Sequence, residues 1–71
     1  MGLREIRTAL RDEERREMER REKYSRKAVA AALGVSYNTY CTYEQNPKRM
    51  QVGTAEKLAG ILGCSTADIF L

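Results

Sequence analysis

With 71 residues, 42% of them hydrophobic, and a formal net charge of +3, the chain suits one small globular domain rather than a disordered or membrane-spanning segment. It has no histidine, only two cysteines (Cys41 and Cys64) and no glycine-rich phosphate loop, which argues against a disulfide framework, a metal, a cofactor and an enzymatic activity. The charged N-terminus has no long apolar stretch behind it and is not a secretory signal, so we expect a cytoplasmic protein.

The first segment, from Leu3 to about Lys23, is rich in arginine and glutamate and has no proline or interior glycine. Acidic residues followed four positions later by basic ones favour an exposed helix, so we predict one long N-terminal helix. Its middle, Arg11 to Glu17, has no apolar residue, and we expect that part to be solvated and away from the core. The apolar residues that fall near one helical face are Leu3, Ile6, Leu10 and Met18.

Two short helices joined by a tight turn are predicted next. Ser25 and Ser36 are the expected N-caps of these helices, which span Arg26 to Leu33 and Tyr37 to about Gln45. Gly34 is the expected left-handed C-cap between them. The spacing is that of a helix-turn-helix over about residues 25–45.

Two further helices are predicted in the remainder of the chain, after residue 45. Asn46-Pro47 ends the third helix because proline lacks an amide hydrogen, and Lys48 to Gly53 is predicted to be a loop. A fourth helix is expected from Thr54 to Leu62, where Gly63 stops it. Ser65 is the expected cap of a short final helix.

The third helix carries uncharged hydrogen-bonding side chains where a base-reading helix needs them. Acidic and basic residues nearly cancel over residues 1–23, whereas Tyr24 to Arg49 holds four cations against Glu44 alone. Uncharged donors and acceptors beside a net positive region favour DNA binding in the major groove. The side chains in question are Tyr37, Asn38, Thr39 and Thr42.

This part of the chain resembles the phage repressor and Cro-like helix-turn-helix family, also called the xenobiotic-response-element type. The residues that carry the resemblance are Ser25, Val29-Ala30, Leu33-Gly34-Val35-Ser36, Thr39-Tyr40, Tyr43-Glu44 and Asn46, followed by Leu58-Ala59, Leu62-Gly63-Cys64-Ser65 and Asp68-Ile69-Phe70. The resemblance covers Tyr24 to Leu71. It implies an all-α, compact five-helix repressor-like domain, here with an extended first helix, that binds operator DNA, usually as a two-fold dimer.

The resemblance also implies the site residues. The base-contacting positions fall on Tyr37, Asn38 and Thr42, with Thr39 and Cys41 nearby. The residues expected to contact phosphate are Arg26, Lys27, Ser36, Asn46, Lys48 and Arg49. Pro47 replaces the family's usual glycine and removes a backbone amide, and Tyr37-Asn38 replaces the usual Gln-Gln or Arg pair, so the operator of a relative does not transfer.

Each of these side chains has a plainer alternative. Asn38 can bind adenine N6 and N7 together, or donate only to a phosphate or to solvent. Tyr37 either contacts DNA or packs on the second helix, and Arg26 either binds phosphate at a helix N-terminus or is solvated. Tyr40 and Tyr43 are expected in the core opposite the second helix, and Glu44 is expected to pair with a basic residue.

The sequence thus predicts a single domain over residues 1–71 that regulates transcription. We expect a bacterial or phage-encoded repressor, associated with the nucleoid, that binds a palindromic operator in double-stranded DNA as a homodimer. The alternative is a helical protein-interaction module, such as part of an antitoxin or anti-repressor complex. The long charged first helix and the apolar C-terminus, Ile69-Phe70-Leu71, favour that alternative.

Overall fold

The computed structural model of the chain describes residues 2–16 and 23–70. Within these two ranges every regular element is helical, which confirms the predicted all-α class with five α helices. The elements are α1 (Leu3–Arg16), α2 (Arg26–Leu33), α3 (Tyr37–Gln45), a 3-10 turn (Pro47–Arg49), α4 (Val52–Leu62) and α5 (Thr66–Phe70). Among the described residues, no helix is both long enough and apolar enough to cross a membrane.

The core is built by all five helices, because each contributes one of the largest fully buried side chains. Those side chains are Leu3, Val29, Tyr40, Leu58 and Ile69. Burying an aliphatic side chain of this size stabilises a fold by about 1.5–3 kcal/mol relative to leaving it exposed. No helix is therefore dispensable for the core, including α1.

The N-terminal half of α1 is the half that packs against the core. Leu3 is 1% exposed, and Ile6 and Leu10 are partly buried against the same cluster. The described part of α1 ends at Arg16, and Lys23 is not helical. The predicted continuation over residues 17–22, with the apolar contact of Met18, lies outside the described residues.

The expectation that the charged middle of α1 is solvated throughout is wrong at Glu14. This side chain is buried, and its Oε2 accepts a hydrogen bond of 2.6 Å from the backbone amide of Lys23. A buried carboxylate is tolerated because the amide compensates part of its lost hydration. Glu14 therefore ties α1 to the chain that leads into α2.

The local signals for α2 and α3 are confirmed. Ser25 Oγ accepts the amide of Ala28 at 3.1 Å, and Ser36 Oγ accepts the amide of Thr39 at 3.2 Å. Gly34 ends α2 with φ of 83°, in the left-handed region where a residue without Cβ has no steric penalty. The predicted bounds of both helices match the structure.

The segment predicted as a loop after α3 is more ordered than expected. Pro47–Arg49 forms a single 3-10 turn, which proline at its first position favours because its φ is already near the helical value. The turn brings Met50 into the core, where it is 6% exposed. A predicted loop residue is therefore a core residue.

The fourth helix begins at Val52 rather than at the predicted Thr54. The carbonyl of Gln51 accepts the amide of Ala55 at 3.0 Å and closes the first helical turn without a side-chain cap. Gly53 costs an α helix about 1 kcal/mol relative to alanine. Burial of Ala55, one turn into the helix, opposes that cost. This burial is not indicated by the residues near the start of the helix.

Candidate nucleic-acid interface

Helix α3 has a buried face and an exposed face. Tyr40 is fully buried and Glu44, one turn later, is 8% exposed. Tyr43 is partly buried and packs against the core, so the predicted core role of Tyr40 and Tyr43 is confirmed. Tyr37 and Asn38 are exposed on the first turn. The helix thus presents its N-terminal part to solvent while its C-terminal part anchors it.

The anchor is a buried polar cluster formed by Arg7, Tyr40 and Glu44. Arg7 Nε pairs with Glu44 Oε1, as expected for Glu44, and Arg7 Nη1 donates to the Tyr24 carbonyl oxygen at 3.1 Å. Tyr40 donates its hydroxyl to Glu44 Oε1 at 3.2 Å. These bonds join α3 to α1 and to Tyr24, the residue before the N-cap of α2. They therefore fix the orientation of the exposed face of α3.

The environment of this cluster keeps Tyr40 protonated. Burial raises the pKa of the Tyr40 hydroxyl well above its usual range, and the neighbouring Glu44 carboxylate raises it further. The Arg7 guanidinium acts in the opposite direction, with a smaller effect than burial. The hydroxyl therefore remains a hydrogen-bond donor to Glu44.

Ser36, the N-cap of α3, forms two hydrogen bonds with Thr39. Ser36 Oγ accepts the Thr39 amide and donates its only proton to Thr39 Oγ1 at 2.8 Å. The Thr39 hydroxyl accepts this bond and keeps its own proton to donate. In this geometry Thr39, and not Ser36, supplies the side-chain donor of the pair.

Asn38 and Thr42 are one turn apart on α3. The Asn38 side chain is exposed, and its amide makes no hydrogen bond to any residue that the structure describes. The Thr42 hydroxyl donates to the Asn38 backbone carbonyl at 3.1 Å, which commits its proton to the helix. Asn38 therefore presents a free donor and acceptor, while Thr42 presents chiefly its methyl group.

Arg26 connects the two helices of the motif. Its guanidinium carbon lies 6.0 Å from the centre of the Tyr37 ring, at the outer limit of a cation–π contact. Both side chains are exposed. Arg26 therefore lies both at the N-terminus of α2 and at the edge of the exposed face of α3.

Four further residues predicted to contact phosphate lie beside Arg26 and after the C-terminal end of α3. Lys27 is exposed beside Arg26, while Asn46, Lys48 and Arg49 are exposed around the 3-10 turn. The Asn46 carbonyl accepts the Arg49 amide at 3.1 Å, so the turn is internally bonded. Among the described residues, no group of three His, Cys, Asp or Glu side chains is placed to hold a metal ion.

Sequence reasoning missed the role of α1 in building this surface. Arg7, 37 residues before Glu44, was not identified as its partner. The available signal was the spacing of Arg7, Arg11 and Arg15, since residues four apart share one helical face. That face lies beside α2.

One of the comparisons with known proteins identifies a family. The model of the Cro/C1-type HTH DNA-binding domain matches residues 15–70, so most of α1 precedes the matched segment. No curated protein and no solved structure gives a significant match to the chain. With the motif, its caps and the family match over most of its length, the chain belongs to the family of Cro/C1-type helix-turn-helix DNA-binding domains.

Proposed function

We propose that the protein is a sequence-specific transcriptional regulator, a repressor, that occupies operator DNA with α3 in the major groove. The observation that carries the proposal is the exposed first turn of α3, where the Asn38 amide has no partner among the described residues. Exposed cations lie at the N-terminus of α2 and in the 3-10 turn that follows α3. A base-reading group between phosphate-binding groups is the arrangement that major-groove recognition requires.

Base recognition rests chiefly on Asn38. Its amide matches the acceptor and donor of adenine in the major groove, a bidentate contact worth about 1–3 kcal/mol of discrimination. The Thr42 methyl group, one turn away, suits contact with a thymine methyl. Tyr37 and the hydroxyl of the exposed Thr39 complete the proposed reading surface.

Backbone contacts supply the remaining affinity. Arg26 and Lys27 on one side and Lys48 and Arg49 on the other suit about 3–5 phosphates per protomer, which predicts a moderate dependence of affinity on salt. A monomer with so few contacts binds weakly. We propose a homodimer on a palindromic operator, with half-sites about one helical turn apart.

The test is selection of duplexes from a randomised pool, followed by titration of variants. We expect a palindromic motif to be enriched. Asn38→Ala should lose preference at one base pair, by roughly tenfold or more, because a bidentate contact is removed. Arg26→Ala should weaken cognate and random duplexes by the same factor and reduce the salt slope by about one, because phosphate contacts carry no sequence information.

Two outcomes would contradict the proposal. Equal losses on cognate and random duplex for Asn38→Ala would remove the base-reading role of that residue. No enriched motif would favour the alternative, a helical module that binds another protein. Sedimentation of the chain with and without the selected duplex tests the dimer separately.

A further inference from the structure

An open cleft of about 390 Å³ lies between α1 and the start of α2. One wall is a single face of α1 that carries Thr8, Arg11, Asp12 and Arg15. The opposite wall carries Arg26 and Lys27, and Tyr37 of α3 lies at its edge. The cleft therefore joins the charged first helix to the proposed phosphate-binding end of the helix-turn-helix.

The charge of this cleft is strongly positive. Among the residues that the structure describes, four cationic side chains from two helices and the carboxylate of Asp12 line it, and one of the four, Arg11, also lies near the Glu14 carboxylate. Arg7 also lines it, but its charge is paired with Glu44. Like charges that converge from two elements repel each other, and an anion between them removes that repulsion.

Arg11 and Arg15 occupy successive turns of the α1 wall. Arg15 is exposed, and Arg11 Nη1 lies 4.0 Å from Glu14 Oε1. A guanidinium has five donor hydrogens and can hold more than one partner at the same time. Planar guanidinium groups bind phosphate oxygens in pairs, which a lysine ammonium does not.

The cleft is continuous with the DNA surface proposed above, because Arg26 and Lys27 belong to both. Arg26 faces the Tyr37 ring on one side and lines the cleft on the other. A phosphate held at Arg26 therefore lies beside the cleft. An extended, regularly charged polyanion is the ligand that fits this position.

We propose that Arg11 and Arg15 of α1, with Lys27, bind backbone phosphates of DNA beyond the phosphate held by Arg26. This inference rests on the proposed function and extends it to α1. The arginine face of α1 is then part of the DNA-binding surface. It lengthens the contacted stretch of duplex without reading its sequence.

The test compares Arg15→Gln and the double variant Arg11→Gln, Arg15→Gln with Arg16→Gln as the matched control. Arg16 is exposed on the same helical turn as Arg15 and does not line the cleft. Binding is measured by fluorescence anisotropy against salt, on the pool-selected duplex and on a mixed-sequence duplex. Circular dichroism establishes that all variants keep the helical content of the parent chain.

We expect Arg15→Gln to weaken binding to both duplexes equally, on the order of threefold to tenfold, and to reduce the salt slope by about 0.9. The double variant should reduce the slope by about twice as much and shorten the hydroxyl-radical footprint at one edge. Arg16→Gln should leave the slope and the footprint unchanged.

The possible failures are distinguishable. If Arg15→Gln and the double variant behave as Arg16→Gln does, the inference is overturned, while the sequence preference of Asn38 still stands. If the parent chain selects no motif from the pool and binds neither duplex, the proposed function fails and this inference fails with it.

Discussion

The two faces of α3 use polar side chains in opposite ways. On the buried face, Tyr40 and Arg7 both donate to Glu44 Oε1, so these polar groups bond one another within the protein. On the exposed face, the Asn38 side-chain amide has no partner among the described residues. One nine-residue helix thus separates polar groups that hold the fold from polar groups that remain for a ligand.

The difference teaches which substitutions should affect stability and which should affect binding. Removing one member of a buried charge pair leaves the other uncompensated in a medium that solvates it poorly. Removing an exposed amide leaves nothing buried and unpaired, because water replaces it. The two faces should therefore respond independently to mutation, apart from effects of the anchor on the orientation of α3.

The largest expected effect is on the buried face. Arg7→Ala should lower the free energy of unfolding by about 3–5 kcal/mol, because Glu44 keeps a buried charge without its partner. The measurement is chemical denaturation at neutral pH. Arg4→Ala, on the exposed side of the same helix, is the control and should change stability by less than about 0.5 kcal/mol.

A second variant separates lost charge compensation from lost packing. Replacing the whole cluster by apolar residues, as Arg7→Met, Tyr40→Phe and Glu44→Leu, should recover most of the stability lost in Arg7→Ala, because no charge then remains buried. A triple variant as unstable as Arg7→Ala would show that the cluster acts through specific contacts that apolar side chains cannot replace.

A smaller effect is expected for the tyrosine hydroxyl. Tyr40→Phe should lower the free energy of unfolding by roughly 1.5 kcal/mol, as for the loss of a hydrogen bond to a charged group. The loss is smaller than in Arg7→Ala because Glu44 keeps its ion pair with Arg7. Tyr37→Phe makes the same change on the exposed face and should be nearly neutral. Equal losses in the two variants would contradict the assignment of the hydroxyl to the anchor.

The raised pKa of the Tyr40 hydroxyl also predicts that the free energy of unfolding depends on pH. Its pKa is higher in the folded state than the usual value of about 10. The unfolded chain therefore releases this proton first, and the stabilisation is fully present below about pH 10 and is lost as pH rises further. Denaturation in alkaline buffers should show a steeper loss of stability for the parent chain than for Tyr40→Phe.

The smallest expected effect on stability belongs to the exposed face. Asn38→Ala should change the free energy of unfolding by less than about 0.5 kcal/mol, since the side chain is exposed and unpaired among the described residues. The loss of base preference proposed for this variant should appear at unchanged melting temperature. A large destabilisation would break the distinction between the two faces.

Much of the helix-turn-helix could be predicted because its signals are local. The cap bonds of Ser25 and Ser36 reach three residues along the chain, and Gly34 ends α2 through its own backbone conformation. Such signals failed at α4, where Val52 starts the helix without a side-chain cap. They failed also at Met50, whose burial depends on where the 3-10 turn directs the chain.

The sequence by itself determined helices α2 and α3, their N-caps and the uncharged side chains on the first turn of α3. These features depend on contacts within about one helical turn. Only the tertiary structure decided that Arg7 is the partner of Glu44, that Glu14 is buried and that Arg11 and Arg15 face Lys27. These relations depend on how α1 crosses the other helices. That crossing is set by the packing of side chains far apart in sequence, which helical periodicity along the chain does not specify.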